Sequence, residues 1–193
     1  MRAFGQAFPQ YRPPANERAL EGLKELKPNG NAVITLNFLS VHQKWGIHST
    51  YTDSERMQSL SRGGPLMWMS DIDAAAAGIV DNDWIEGWNA NGAVVARAVV
   101  SSRIPSGMCF VCHATEKTIN TPGSEITGHR GGGHNAPTRI VLNPTHMIGG
   151  YAQQAYGFNY YGTVPPNRDD FIWMRKMNKV DWMDEEARKG ANA

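Results

Sequence analysis

Apolar and β-branched positions first gather at Ala32-Val33-Ile34-Thr35-Leu36-Asn37-Phe38, a run that predicts a mostly buried strand. A polar and aromatic loop, Leu39 to Thr52, follows it. Thr52 or Asp53 then caps a helix reaching about Leu60, because Ser54-Glu55-Arg56-Met57 puts acidic charge ahead of spaced apolar positions. Arg62-Gly63-Gly64-Pro65 ends that helix, and Pro65 to Met69 reads as a short strand. Ser70 caps a second helix, Asp71 to Ala77, which Gly78 stops.

The most regular stretch comes next: Asp83 to Trp88, a turn at Asn89-Ala90-Asn91-Gly92, then Ala93 to Val100. Asn-Gly between two extended runs predicts a hairpin whose type I′ turn takes positive φ at its central residues. A further strand, Gly107 to His113, follows Ile104-Pro105-Ser106. Residues 115–137 carry almost no periodic pattern, and structureless stretches of that length inside a domain are usually functional. Thr138 to Leu142 reads as a buried strand, Pro144 to Ala155 as a short helix and Phe171 to Met177 as extended chain. The order is β-α-β-α-β-β-β-loop-β, a mixed architecture in which strands dominate.

Ahead of this pattern, Met1 to Asn31 holds Pro9, Pro13, Pro14 and Pro28 around one helix-compatible stretch, Asn16 to Leu26, and reads as a linker or extended arm. Residues 32–184 form the expected domain, and 185–193 a frayed tail. The length of 193 residues with 41% hydrophobic content suits one core and one domain. Lys and Arg number 19 against 18 acidic residues, so no net field favours nucleic acid or an anionic membrane. No apolar run approaches the roughly 20 residues of a membrane helix, so direct membrane insertion is not expected, and Met1 to Lys27 lacks the apolar centre of a signal peptide. The 20 Gly and 11 Pro suggest a strand-and-loop fold in which backbone makes close approaches. Hydrolase and nucleotidase signatures such as Gly-x-Ser-x-Gly, the Walker loop and His-Glu-x-x-His do not occur.

Three constellations carry possible chemistry. Ser40, His42, His48, Ser49 and Thr50 place hydroxyl and imidazole groups along one short loop, suited to an anion or a heteroaromatic ring; the competing reading makes the histidines surface or capping residues. Arg130-Gly131-Gly132-Gly133-His134-Asn135 would let backbone N–H groups approach a phosphate or ring, or be merely flexible. Cys109-Phe110-Val111-Cys112-His113 has the spacing of a haem c attachment motif, but it lies in a strand-like run where side chains three apart face opposite sides. A zinc site joining these cysteines to His129 or His134 lacks a second paired motif.

The run Gly78-Ile79-Val80-Asp81-Asn82-Asp83-Trp84-Ile85, the Asn91-Gly92 turn and Ile104-Pro105-Ser106-Gly107 resemble the double-psi β-barrel domain of molybdenum and tungsten bis-pterin oxidoreductases. Residues 42–51 (HQKWGIHSTY), 122–127 (PGSEIT), 144–151 (PTHMIGGY) and 156–164 (YGFNYYGTV) narrow it. Together they resemble the C-terminal molybdopterin-dinucleotide-binding domain of the respiratory nitrate reductase alpha subunit family, which also holds nitrite oxidoreductases. The resemblance implies a β-dominated double-psi barrel with short flanking helices and long cofactor-binding loops. It implies that Ser40, His42, Ile47, His48, Ser49, Thr50, His113, His134, Asn135 and Asn167 contact a bis-molybdopterin guanine dinucleotide.

The family's cluster-binding motif and metal-ligand aspartate segment are not found in these residues, so the resemblance implies a catalytic fragment, inactive alone, whose iron–sulfur cluster belongs to the N-terminal part of the subunit. It further implies assembly with the rest of the alpha subunit, an iron–sulfur beta subunit and a membrane haem b gamma subunit. Those partners would hold it at a membrane, on the cytoplasmic face or, alternatively, the periplasmic or extracellular one. A stand-alone cofactor-binding or electron-transfer module with haem c at Cys109, Cys112 and His113 is the reading from a different class.

Overall fold

A computed structural model describes residues 23–60, 62, 64–113, 121–138 and 170–183. The expected strand at Thr138 to Leu142, the helix at Pro144 to Ala155, Asn167 and the tail lie outside them, apart from Thr138 itself.

The described strands are β1 (Ile34–Val41), β2 (Leu66–Met69), β3 (Trp84–Trp88), β4 (Ala93–Val100), β5 (Met108–Cys112) and β6 (Asp170–Lys176). They close into a barrel in the order β1-β5-β2-β4-β3-β6. β1 pairs parallel with β5 and β2 parallel with β4, while the remaining contacts are antiparallel. Consecutive strands therefore straddle a third: β1 and β2 flank β5, and β2 and β3 flank β4. This interleaving is the double-psi barrel, and closure leaves no strand edge unpaired.

Alternation along the strands builds the core. Leu36 and Phe38 from β1, Met67 and Met69 from β2, Cys109 and Val111 from β5, and Ile172 and Met174 from β6 fill the interior. Gly87 makes room among them, since a Cβ there would stand 2.5 Å from Ile172 Cδ1. β3 and β6 are buried on their outer face as well. Trp88 and Trp173 are register partners, as are Glu86 and Arg175, and these side chains lie beneath segments 23–33 and 121–126. The described part of the expected N-terminal arm is thus packed against the barrel. Leu23 meets the tryptophan cluster, and its carbonyl accepts the Trp88 indole N–H at 2.9 Å.

Strand directions divide the barrel into two unlike rims. β1, β3 and β5 end at one rim, where β2, β4 and β6 begin. The loop after β1 and the long connection from β5 to β6 both open from it. At the opposite rim the connections are short and tied down. The helix α2 (Asp71–Ala76) has the expected cap, with Ser70 Oγ accepting the Ile72 and Asp73 N–H groups, and Gly78 at φ +64 ends it. Asp73 reaches across to accept the Ser106 hydroxyl at 2.7 Å and the Gly107 N–H at 2.8 Å.

Three expectations shift. β1 runs on to Val41, so Ser40 belongs to the strand rather than to the loop, on the face that carries Leu36 and Phe38. The first helix, α1 (Glu55–Leu60), begins after Ser54 and buries none of its residues. The hairpin forms as expected, but neither Asn91 nor Gly92 takes positive φ. Asn89 accepts the Asn91 N–H on its side-chain oxygen at 2.9 Å and donates its own N–H to the Gly92 carbonyl, closing a four-residue loop. Gly92 is required for space instead: a Cβ there would lie 2.6 Å from the Ala136 carbonyl oxygen.

Candidate functional site

The parallel pairing of β1 with β5 brings the carboxyl ends of both strands to the loop rim, so the residues that follow them become neighbours. His42 follows β1 and His113 follows β5, and their rings meet edge to face with centroids 4.6 Å apart. His48, six positions further along the first loop, lies 4.9 Å from His113 and 5.4 Å from His42. His134 enters from the glycine loop, 5.7 Å from His113. Four imidazoles from three separate stretches of chain thus converge at one end of the barrel.

Local backbone fixes each of them. The His113 N–H and Nδ1–H both reach the Val41 carbonyl, each at 3.0 Å. His48 has φ +51 in a turn closed by the Thr50 N–H bond to the Ile47 carbonyl at 2.9 Å. A left-handed non-glycine residue is uncommon and is held by its surroundings, and Tyr51 at φ +67 repeats the feature three residues on. Ser49 is half-buried, with its carbonyl accepting the Thr52 hydroxyl at 2.8 Å, while Ile47 and Thr50 are exposed.

The glycine loop is not a free anion cradle at its first two residues. Gly131 gives its N–H to the Pro122 carbonyl at 2.9 Å and Gly132 to the Ala93 carbonyl at 3.1 Å. A Cβ on Gly131 would stand 2.6 Å from Val95 Cβ, and one on Gly132 would collide with the Ala136 side chain and stand 2.7 Å from the Ala93 carbonyl oxygen. These glycines let the loop lie against β4 and deliver His134 to the rim. Asn135 is exposed beside it, with its carbonyl taking the Thr138 hydroxyl and N–H.

The cysteines divide as strand geometry requires. Cys109 is in the barrel core, where burial, with a smaller contribution from the charge of Asp73, raises its thiol pKa far above the ordinary range. Cys112 is on the other face of β5 and half-buried, its pKa raised by burial. One porphyrin cannot receive thioethers from opposite faces of a strand, so the haem reading has no support in this geometry. Under native conditions at about pH 8, iodoacetamide is expected to leave Cys109 untouched and to modify Cys112 slowly, both reacting fully after denaturation. Rapid native alkylation of Cys109, read by peptide mass, would contradict its place in the core.

Sequence reasoning named the imidazoles but missed two supporting groups. One is the Val41 carbonyl, a backbone atom with no side-chain signal. The other is the buried polar network under the outer face of β3 and β6. Glu86 Oε1 accepts Arg175 Nε and Nη2 at 2.9 and 2.7 Å, and Oε2 accepts the Ser124 hydroxyl and the Ile126 N–H at 2.9 and 3.2 Å. Arg175 Nη1 donates to the Lys27 carbonyl, and its guanidinium lies over Trp88. A Glu at every second position from two tryptophans, Trp84-Ile85-Glu86-Gly87-Trp88, was the available clue.

A closed double-psi barrel that gathers imidazoles and hydroxyls at its loop-bearing rim is a ligand-binding domain. The chain belongs to the family described as the molydopterin dinucleotide binding domain, whose model matches residues 36–155. It is 58% identical over 97% of its length to the respiratory nitrate reductase 2 alpha chain of Escherichia coli (strain K12). It is 49% identical over 96% to the nitrate reductase alpha chain of Bacillus subtilis (strain 168). In each case it spans 15% of the relative. Among solved structures it is similar to acetylene hydratase from Pelobacter acetylenicus, with a TM-score of 0.44 and 18% identity, covering 64% of this chain and 16% of that one.

Proposed function

We propose that this chain binds and orients a bis-molybdopterin guanine dinucleotide as one portion of a nitrate reductase catalytic subunit. The observation that carries the reading is the convergence of His42, His48, His113 and His134 at the loop rim of a barrel belonging to this family. The donor set fits the group. Imidazoles and hydroxyls suit the polar edges of a fused heterocycle, and the Ser40 position lets a hydroxyl meet a ligand at the end of β1. His42, His48, Ser49, Thr50 and the Ile47 main chain would hold it from one side, and His113, His134 and Asn135 from the other. Asn167 is carried as a further contact by resemblance.

When bound, the cofactor supplies oxygen-atom and electron transfer; the residues of this chain bind it, orient it and keep its rings at a fixed place on the barrel. The likeness to alpha chains over nearly all of this sequence, at 15% of their length, supports action within a larger subunit. An iron–sulfur cluster in another part of that subunit, an iron–sulfur beta subunit and a haem b gamma subunit complete the proposed assembly, placed at the cytoplasmic face of the membrane. No described helix is long and apolar enough to cross a membrane; in the proposed assembly the partner subunits supply the attachment.

The test is cofactor content. In the full-length catalytic subunit, replacing His42 and His48 together by Ala is expected to lower the pterin released and oxidised per protein by about tenfold, the size of one or two lost hydrogen bonds. Unchanged pterin content in a folded double variant would refute the assignment of this rim.

A further inference from the structure

The outer face of β3 and β6 is covered by two separate stretches of chain, and the two covers are joined to each other. Segment 23–31 supplies the Lys27 carbonyl to Arg175 Nη1 at 2.6 Å and the Leu23 carbonyl to the Trp88 indole N–H at 2.9 Å. The other cover, 121–126, gives the Ser124 hydroxyl and the Ile126 N–H to Glu86 Oε2. Glu125 joins them. Its Oε2 accepts Asn29 Nδ2 at 2.6 Å and stands 3.7 Å from Arg175 Nη2, while Oε1 accepts the Asn178 and Lys179 N–H groups at 2.7 and 2.8 Å. Asn29 and Asn31 also donate to the Lys176 carbonyl, at 3.1 and 2.8 Å, and the Asn29 carbonyl accepts Asn178 Nδ2 at 2.7 Å. One carboxylate thus binds partners 96 and 53 residues away from it along the chain.

The loop that carries Glu125 is folded on itself. Ser124 gives its N–H to the His129 carbonyl, Gly128 to the Ser124 carbonyl and Gly131 to the Pro122 carbonyl, and Gly123 bridges to Arg130. A displacement at its base is therefore passed on toward His134 and Asn135. Each cover also strengthens the bonds of the other, because charged hydrogen bonds are stronger where water is excluded, and lifting either stretch admits water to Glu86 and Arg175.

We propose that residues 23–31 form a strap with Glu125 as its latch, so that the strap and the loop 121–135 open and close as one unit while the barrel stays folded. The segment ahead of the barrel then controls the order of the loop that carries His134 and Asn135. That this loop serves a cofactor rests on the function proposed above; the coupling does not.

Native-state amide exchange of the full-length catalytic subunit in low urea, read by mass spectrometry, tests the coupling. Peptides covering 23–33, 121–131 and 175–180 are expected to share one opening free energy and one urea dependence, both below those of β4. Separate values for strap and loop would overturn the proposal. Asn29→Asp sets a second carboxylate against Glu125 and is expected to speed exchange about tenfold in all three stretches, the scale of one lost hydrogen bond, with β4 unchanged. Adding Glu125→Gln reverses the bond, since the new amide donates to the new carboxylate and one negative charge stays beside Arg175. Most of the protection should return. Faster exchange confined to 23–33, no change anywhere, or a paired variant as fast as Asn29→Asp alone would each defeat the latch. Exchange reads the coupling whether or not pterin is retained, so its failure is distinguishable from failure of the pterin-content test.

Discussion

Replacing Glu86 by Ala is expected to destabilise the chain by ~3–5 kcal/mol, because it takes from the buried Arg175 guanidinium the carboxylate at 2.7 Å and leaves it only the more distant Glu125 carboxylate at 3.7 Å. Both side chains are almost inaccessible to solvent, at 0% and 1% exposure, so water cannot take the place of the lost carboxylate. The same change orphans the Ser124 hydroxyl and the Ile126 N–H, each of which now gives its hydrogen to Glu86. Glu86→Met combined with Arg175→Met removes both charges at similar volume and should recover part of the loss. It cannot recover all of it, since the Lys27 carbonyl also loses a donor. Urea unfolding followed by tryptophan fluorescence measures the difference. A loss below about 1 kcal/mol in Glu86→Ala would mean that the pair is hydrated in solution.

The second large effect is expected at Gly131. A Val there brings its Cβ to 2.6 Å from Val95 Cβ, on a strand whose backbone is held on both sides, so the loop must move rather than β4. Overpacking of this kind costs about 1–3 kcal/mol. The larger consequence falls on binding. Lifting the loop breaks the Gly131 and Gly132 bonds to Pro122 and Ala93 and withdraws His134 from the rim. Pterin content in the full-length subunit should fall by roughly 10- to 100-fold, the scale of misplacing groups by about an ångström. The midpoint of thermal unfolding of the chain should fall by several degrees, at roughly 2–4 °C per kcal/mol for a domain of this size. Full pterin content in folded Gly131→Val would show that this loop is not a wall of the site.

Most of the barrel was legible because its strands obey local rules. The hairpin of β3 and β4, the Ser70 cap and the Gly78 stop each announce themselves within a few residues. The pairing of β1 with β5 was not legible, because Asn37 meets Met108 across a long intervening chain and periodicity carries no information about partners. The site divides in the same way. His42, His48, His113 and His134 could be named from residue type and family resemblance, yet their meeting depends on the parallel pair. The glycines misled in an instructive manner. Gly92, Gly131 and Gly132 suggested turn geometry or an anion cradle, whereas neighbouring backbone and side chains demand their small size. Packing at a distance of tens of residues has no local signature.

The strand order also sets a schedule for synthesis. Both neighbours of β1, β5 and β6, lie later in the chain, so β1 leaves the ribosome with two open edges. At ordinary elongation rates the last of these edges waits roughly 7–27 s for β6. During that interval an apolar strand offers unsatisfied backbone to any other nascent chain, and the barrel that ends without edges begins as a ribbon exposed on both sides.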